Sequence, residues 1–211
     1  MELSKFLKWS VCGDGYVGYS THNKNAHYSI SRDPVHKDYI DVIANKFIGL
    51  QDCVVRLDTY IRKDNHKTVL DLRTSSHPIF TRIRERQYIQ SRRVIDPHML
   101  TMLDWETTAF LYMDDGSLCV NNKGSLITRL STCAYSYFEQ EALRKAFIEK
   151  LGIVWNINKN GNTYQLNLAK SSRDLFFKKI KPYIVPSYNY KLPEFLQKET
   201  SRTDDDLVCM A

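Results

Sequence analysis

Two aspartates stand at matching points of this chain. SVCGDGYVG (10–18) and FLYMDDGSLC (110–119) each carry an apolar run into a carboxylate followed by a glycine. Asp14 and Asp115 lie 101 positions apart. A carboxylate at a helix C-terminus meets the negative end of the helix dipole, a placement that costs up to about 1 kcal/mol. An isolated GDG or DDG tripeptide is ordinarily a turn; the same unfavourable placement at two corresponding points of a repeat points to a use. If the two leading helices pack side by side, Asp14 and Asp115 meet at the bottom of the pair. Two carboxylates at close range repel unless a cation lies between them. Hard divalent cations take oxygen ligands, and magnesium keeps several of its waters. A pair of such ions polarises a phosphodiester and activates water against it.

The elements that must hold these acids recur at nearly the same offset. Ile30-Ser31 answers Leu130-Ser131, and the run Asp38 to Leu50 answers Phe138 to Leu151. A repeat of this length marks a duplicated unit rather than a solenoid. Phe6, Leu7, Trp9 and Val11 give helical spacing over 3–12; Ala109, Phe110, Leu111 and Met113 do the same after Asp104, a fitting N-cap. Gly15 and Gly116 are placed to end these helices. Strands are expected at 27–31 and 126–131, then amphipathic helices at 38–50 and 138–151. Two more strands follow in each half; 154–158 and 163–168 flank KNGN, whose Asn-Gly is a strong hairpin signal. Closing helices are expected at 77–90 and 172–181. The fold class is α+β: two pseudo-symmetric αββαββα halves, each with an antiparallel sheet. The expected division is 1–90, a linker at 91–104, a second half at 105–195 and a disordered tail at 196–211.

Alternation along the strands sorts side chains by face. Asn156, Asn158, Gln165 and Asn167 point away from Trp155, Ile157, Leu166 and Leu168; Arg56, Asp58, Tyr60 and Arg62 oppose Val55, Leu57 and Ile61. The returning strand adds Lys67, Asp71 and Arg73, and Arg32, Arg129 and Lys159 complete the candidate set. Amides suit adenine, guanidinium suits guanine and carboxylate suits cytosine in the major groove, which admits a two-stranded ribbon. Any half-buried antiparallel sheet also displays a solvated polar face.

Charge agrees with a polyanionic partner: 30 basic residues oppose 24 acidic ones, a net +6 with a pI near 9.0. Five cysteines, none within CxxC distance, form neither a disulfide framework nor a zinc motif, and a reducing compartment is expected. No apolar window is long enough to span a membrane, and MELSKFLKWS does not read as a secretory signal. The six histidines form no HExxH or tight cluster. GxxxxGK[ST] and GxSxG are missing from the sequence, which argues against P-loop nucleotide and serine-hydrolase chemistry.

LKWSVCGDG (7–15) and TAFLYMDDG (108–116) resemble two degenerate copies of the nine-residue motif of the LAGLIDADG homing endonucleases. The first keeps Leu7, Asp14 and Gly15; the second keeps Ala109, Leu111, Asp115 and Gly116. IKPYIVPSYNYKLPEF (180–195) resembles the C-terminal segment of the monomeric two-motif enzymes of group I introns. The likeness runs from about Leu3 to Phe195.

The resemblance implies two motif helices packed in parallel at the interface of the halves, with each sheet binding DNA. It implies that Asp14 and Asp115 bind the catalytic Mg²⁺ (or Mn²⁺) ions, helped by backbone carbonyls of Gly13 and Asp114. It places Lys191, and Arg93 where a lysine is usual, beside the scissile phosphate or an active-site water. Arginine keeps its charge and cannot tune its pKa as lysine does, so the two strands are expected to be cut at unequal rates. The expected activity is cleavage of a long double-stranded DNA site by a monomer, with no membrane partner. Two alternatives stay open: an RNA-binding maturase acting on intron RNA, and a non-cleaving DNA-binding protein, which retention of both aspartates argues against. A mitochondrial, chloroplast, bacterial or phage setting would suit equally.

Overall fold

The computed structural model describes residues 1–120, 122 and 124–197. Helix α1 (Leu3–Cys12) leads into strands β1 (Tyr16–Tyr19) and β2 (Ala26–Arg32), helix α2 (Lys37–Asn45), strands β3 (Val55–Ile61) and β4 (Thr68–Thr74), and helix α3 (Pro78–Gln87). The connection carries a short hairpin, β5 (Tyr88–Ile89) with β6 (Arg92–Arg93), and helix α4 (Pro97–Thr101). The second half repeats the order: α5 (Trp105–Asp115), β7 (Gly116–Val120), β8 (Leu126–Leu130), α6 (Tyr137–Leu151), β9 (Trp155–Asn160), β10 (Thr163–Leu168) and α7 (Arg173–Ile180), followed by 3-10 turns and α8 (Glu194–Gln197).

Both sheets are antiparallel with one topology, β1-β2-β4-β3 and β7-β8-β10-β9. Register also repeats. Ile30 pairs with Leu72 and Leu130 with Leu166, so Arg32 in the first half answers Thr132 in the second. The caps explain why α5 and α6 are crisp. Asp104 and Thr107 form a capping box, as do Ser136 and Glu139.

Several boundaries differ from those expected. Helix α2 stops at Asn45, and turns fill the way to Leu50. Helix α3 ends at Gln87, where Tyr88 turns extended to start β5. The stretch 91–104 is therefore built, not slack: Asp96 caps α4, and Arg92 pairs with Glu139 at 2.9 Å. Strands β9 and β10 pair through Asn160 and Thr163, leaving Gly161-Asn162 as a two-residue loop. Gly161 has φ +59° in the glycine-first loop position, so glycine-first geometry, not Asn-Gly, sets the turn. Leu196 and Gln197 close α8; the rest of the expected tail lies outside the described residues.

The two halves exchange core residues. Trp9 and Cys12 of α1 pack in the second core with Leu111, Tyr112 and Phe176, whereas Phe110 and Met113 of α5 pack in the first with Phe6 and Leu7. Phe6 and Phe110 meet edge to face at 5.6 Å. The segment after α7 also crosses over. Tyr188 is buried in the first core, stacks on His36 at 4.2 Å, and follows Ser187, whose N–H donates to Asp38. The break at 91–104 thus separates the halves in sequence but not in packing.

Candidate active site and nucleic-acid interface

Helix α1 ends at Cys12 with Gly13 as its C-cap, while α5 runs through Asp115 to Gly116. Gly15, expected to end the helix, falls two residues past the C-cap, its N–H donating to Ser10 O. At the seam Gly13 faces Asp114: a Cβ on Gly13 would run into the Asp114 carboxylate. The missing side chain lets the two helix ends close on each other.

Three carboxylates gather there. Asp114 has no exposed side-chain surface; it accepts from the Tyr39 hydroxyl (2.7 Å), the Asp14 backbone N–H (3.2 Å) and Arg32. Asp14 accepts from the same Arg32 guanidinium at 2.9 Å. Burial pushes the Asp115 carboxyl up to about 8, and the charges of Asp14 and Asp114 add to the rise, while Arg93 and Lys191 oppose it. Asp14 and Asp115 are therefore electrostatic neighbours, as the repeat required.

The two basic residues occupy equivalent stations. Arg93 donates to the carbonyls of Gly13 and of Val11 (3.4 Å) at the end of α1. Lys191 donates to Met113 O (2.6 Å) and Tyr112 O (3.4 Å) at the end of α5. Cations at helix C-termini are favoured by the dipole. Burial lowers the Lys191 ammonium to about 8, the aspartates pulling it back up. Ser131 donates its backbone N–H to Asp115 O at 2.9 Å, and Ser31 donates its hydroxyl to Asp71 at 2.5 Å.

Among the described residues no group of three or more His, Cys, Asp or Glu side chains is arranged to hold a metal by itself. A magnesium-like site does not need one. Two carboxylates with nearby carbonyls and retained waters suffice, and a cation would favour the ionised form of Asp115 against its burial and its acidic neighbours. The donor set fits a hard divalent ion carried by Asp14 and Asp115, with the carbonyls of Gly13 and Asp114 within the same seam.

The sheets sort their side chains largely as alternation predicted. On the face away from the first core, Arg56 lies directly opposite Arg73, Asp58 opposite Asp71, and Tyr60 opposite Val69; Arg62 and Lys67 continue the row past the strand ends. Arg56, Asp58, Tyr60, Arg62, Lys67 and Arg73 are exposed. Asp71 is buried, held by Ser31 with Arg73 at 3.8 Å. In the second sheet Asn156 opposes Asn167 and Asn158 opposes Gln165, with Arg129 beside Asn167. The first face is charged and the second is an amide ladder.

Two expected interface residues lie elsewhere. Arg32 pairs with Leu70, on the core-facing alternation, so its side chain turns into the seam and binds Asp14 and Asp114. Lys159 pairs with Tyr164 and shares the alternation of Ile157, not of Asn158. Tyr39 was missed altogether; an amphipathic helix pattern gives no sign that a tyrosine will meet an acid from the other half. The mismatch of Gly13 with Asp114 between the two motif copies was the one visible signal of the close approach.

Comparison with known proteins gives concordant results. The model of the LAGLIDADG DNA endonuclease family matches residues 9–176. The cytochrome b mRNA maturase bI2 of Debaryomyces hansenii is 24% identical over 92% of this chain and 75% of its own length. A probable intron-encoded endonuclease 1 of Wickerhamomyces canadensis is 25% identical over 87% of this chain and 80% of its own. Among solved structures, the homing endonuclease I-WcaI bound to its DNA recognition sequence superposes with a TM-score of 0.76 at 23% identity, over 92% of this chain and 88% of that one. I-DmoI in complex with DNA and Ca gives a TM-score of 0.53 at 16% identity, over 94% and 96%.

Proposed function

Given that the chain belongs to the LAGLIDADG DNA endonuclease family, we propose that it cleaves both strands of a long double-stranded DNA site, as a monomer, using Mg²⁺ or Mn²⁺ held by Asp14 and Asp115. The observation that supports this most directly is the convergence of those two acids at paired helix ends, with Asp115 raised to about 8 by burial and by the charges of Asp14 and Asp114. A bound divalent ion supplies charge to polarise the scissile phosphate and activate water. The chain supplies the rest. Asp14 and Asp115 orient the ions, Lys191 and Arg93 fix the carbonyls around them and place positive charge beside the phosphate, and the outer sheet faces hold the duplex. Arg56 and Arg73 lie opposite each other, a like-charge pair that an isolated sheet disfavours and that phosphate or guanine would compensate.

The test is a duplex library spanning the exon junction of the host gene, incubated with Mg²⁺. The wild-type protein is expected to cut one member, and Asp14→Asn and Asp115→Asn to bind that member in Ca²⁺ without cutting it. Cutting by either variant at the wild-type rate would overturn the assignment.

A second reading is favoured by the relatives named as cytochrome b mRNA maturases: binding and splicing of the chain's own intron RNA. Splicing that depends on the protein but survives Asp115→Asn would support it.

A further inference from the structure

The pseudo-twofold relation of the halves is broken at two positions that touch each other. Asp114 stands where the first motif has Gly13, and Arg32 stands where the second half has Thr132. Thr132 is buried and turned away, its hydroxyl donating to Gln140 at 2.9 Å. Arg32 turns into the seam. Its guanidinium is gripped by Asp114, donates to Ser31 O at 3.1 Å, lies over the Tyr39 ring at 5.6 Å and reaches Asp14 at 2.9 Å. Asp114 holds Asp14 a second time, through the Asp14 backbone N–H. Asp115 has no such frame, because the cations nearest it, Arg93 and Lys191, are engaged on backbone carbonyls.

We propose that Arg32, anchored by Asp114 and Tyr39, is a positioning residue for Asp14 alone, holding its carboxylate in place while competing with the divalent ion for it. The proposal deepens the endonuclease reading and rests on it for its catalytic half. Two consequences pull in opposite directions. A fixed positive charge beside Asp14 opposes a dication by simple Coulomb repulsion. The same charge keeps Asp14 from swinging away, and misplacement of a reacting group by about 1 Å can lower a rate about a hundredfold. A residue that merely supports the fold would lower cation binding and cleavage together when removed. Arg32 should separate them.

The experiment uses the full chain, with Arg32→Gln and Arg32→Lys, at one fixed pH. Mn²⁺ binding to DNA-free protein is followed by the loss of free-ion electron paramagnetic resonance signal, and nicking is followed on a duplex labelled on both strands across a Mg²⁺ series. Arg32→Gln is expected to bind Mn²⁺ about tenfold more tightly, yet to slow one strand's cut about tenfold or more at saturating Mg²⁺ while the other strand keeps its wild-type rate. Arg32→Lys should restore much of the slowed cut. Equal slowing of both strands, or Mn²⁺ affinity that is unchanged or weaker in Arg32→Gln, would overturn the proposal. Should Arg32→Gln fail to fold because Asp114 is left buried and unpaired, the pair Arg32→Gln/Asp114→Asn removes both charges, and the single-strand defect is then the deciding readout. If the wild-type protein cuts no duplex, the endonuclease reading falls, and the Mn²⁺ titration judges Arg32 by itself.

Discussion

The Asp115 carboxyl is held protonated to about 8 by burial and by the charges of Asp14 and Asp114. Its folded-state pKa lies above its ordinary value of 3.8, so the folded protein binds the extra proton across that window. Stability from this group is present at low pH and is lost as pH rises from about 4 to about 8. Lys191 works in the adjoining window. Its folded pKa is lowered from 10.5 to about 8, so stability from it rises between those values. In EDTA at a pH above 8, Asp115→Asn should therefore melt higher than the wild type, by about 1 kcal/mol or more. Mg²⁺ should raise the wild type and leave the variant nearly unmoved. Thermal unfolding at two pH values, with and without Mg²⁺, checks both.

At the scale of elements, the site depends on how closely two helix ends approach. Gly13 has no room for a Cβ because the Asp114 carboxylate fills that space. Gly13→Ala should push α1 and α5 apart, lowering stability by about 1–3 kcal/mol and cutting by more than binding. A denaturant midpoint and a cleavage rate on one preparation measure the two effects. The segment after α7 is the other strut. Tyr188 is almost fully buried in the first core although it comes from the end of the second half. Tyr188→Ala should lower stability by about 3 kcal/mol, and it should do so in one cooperative transition, because the halves share core residues. Two separate transitions would show that the exchange of Trp9, Cys12, Phe110 and Met113 does not couple them.

For the whole molecule, the two sheets present unequal outer faces. The first outer face is charged, with Arg56 opposite Arg73; the second is amide-lined, with Asn156 opposite Asn167 and Asn158 opposite Gln165. Arg56→Ala and Arg73→Ala should weaken duplex binding and reduce the slope of log affinity against log salt by about 1 each if they meet phosphate. Asn158→Ala should leave that slope alone and relax specificity at one base position by about 1–3 kcal/mol. Binding isotherms at several salt concentrations, on the cognate duplex and on single-base variants, separate these outcomes. Among the described residues no helix is long and apolar enough to cross a membrane.

The sequence by itself determined the duplication, the element order, the alternation of each strand and the two aspartates at matching points. These are local or periodic properties, legible because a helix or strand must place its apolar residues at fixed intervals to be buried. Asp104 as an N-cap and the amide face of β9 and β10 followed from a few neighbouring residues each. Only the tertiary structure decided which contacts cross the seam. Arg32 reads as one more basic residue at a strand end, and its place on the core-facing alternation puts it on Asp14 and Asp114. Tyr39 and Tyr188 read as ordinary amphipathic or loop tyrosines, and their partners come from distant parts of the chain. The physical reason is that a repeat specifies two similar units, while the fit between them depends on the few positions where the copies differ. Gly13 against Asp114, and Arg32 against Thr132, acquire their meaning once the helix ends are brought together.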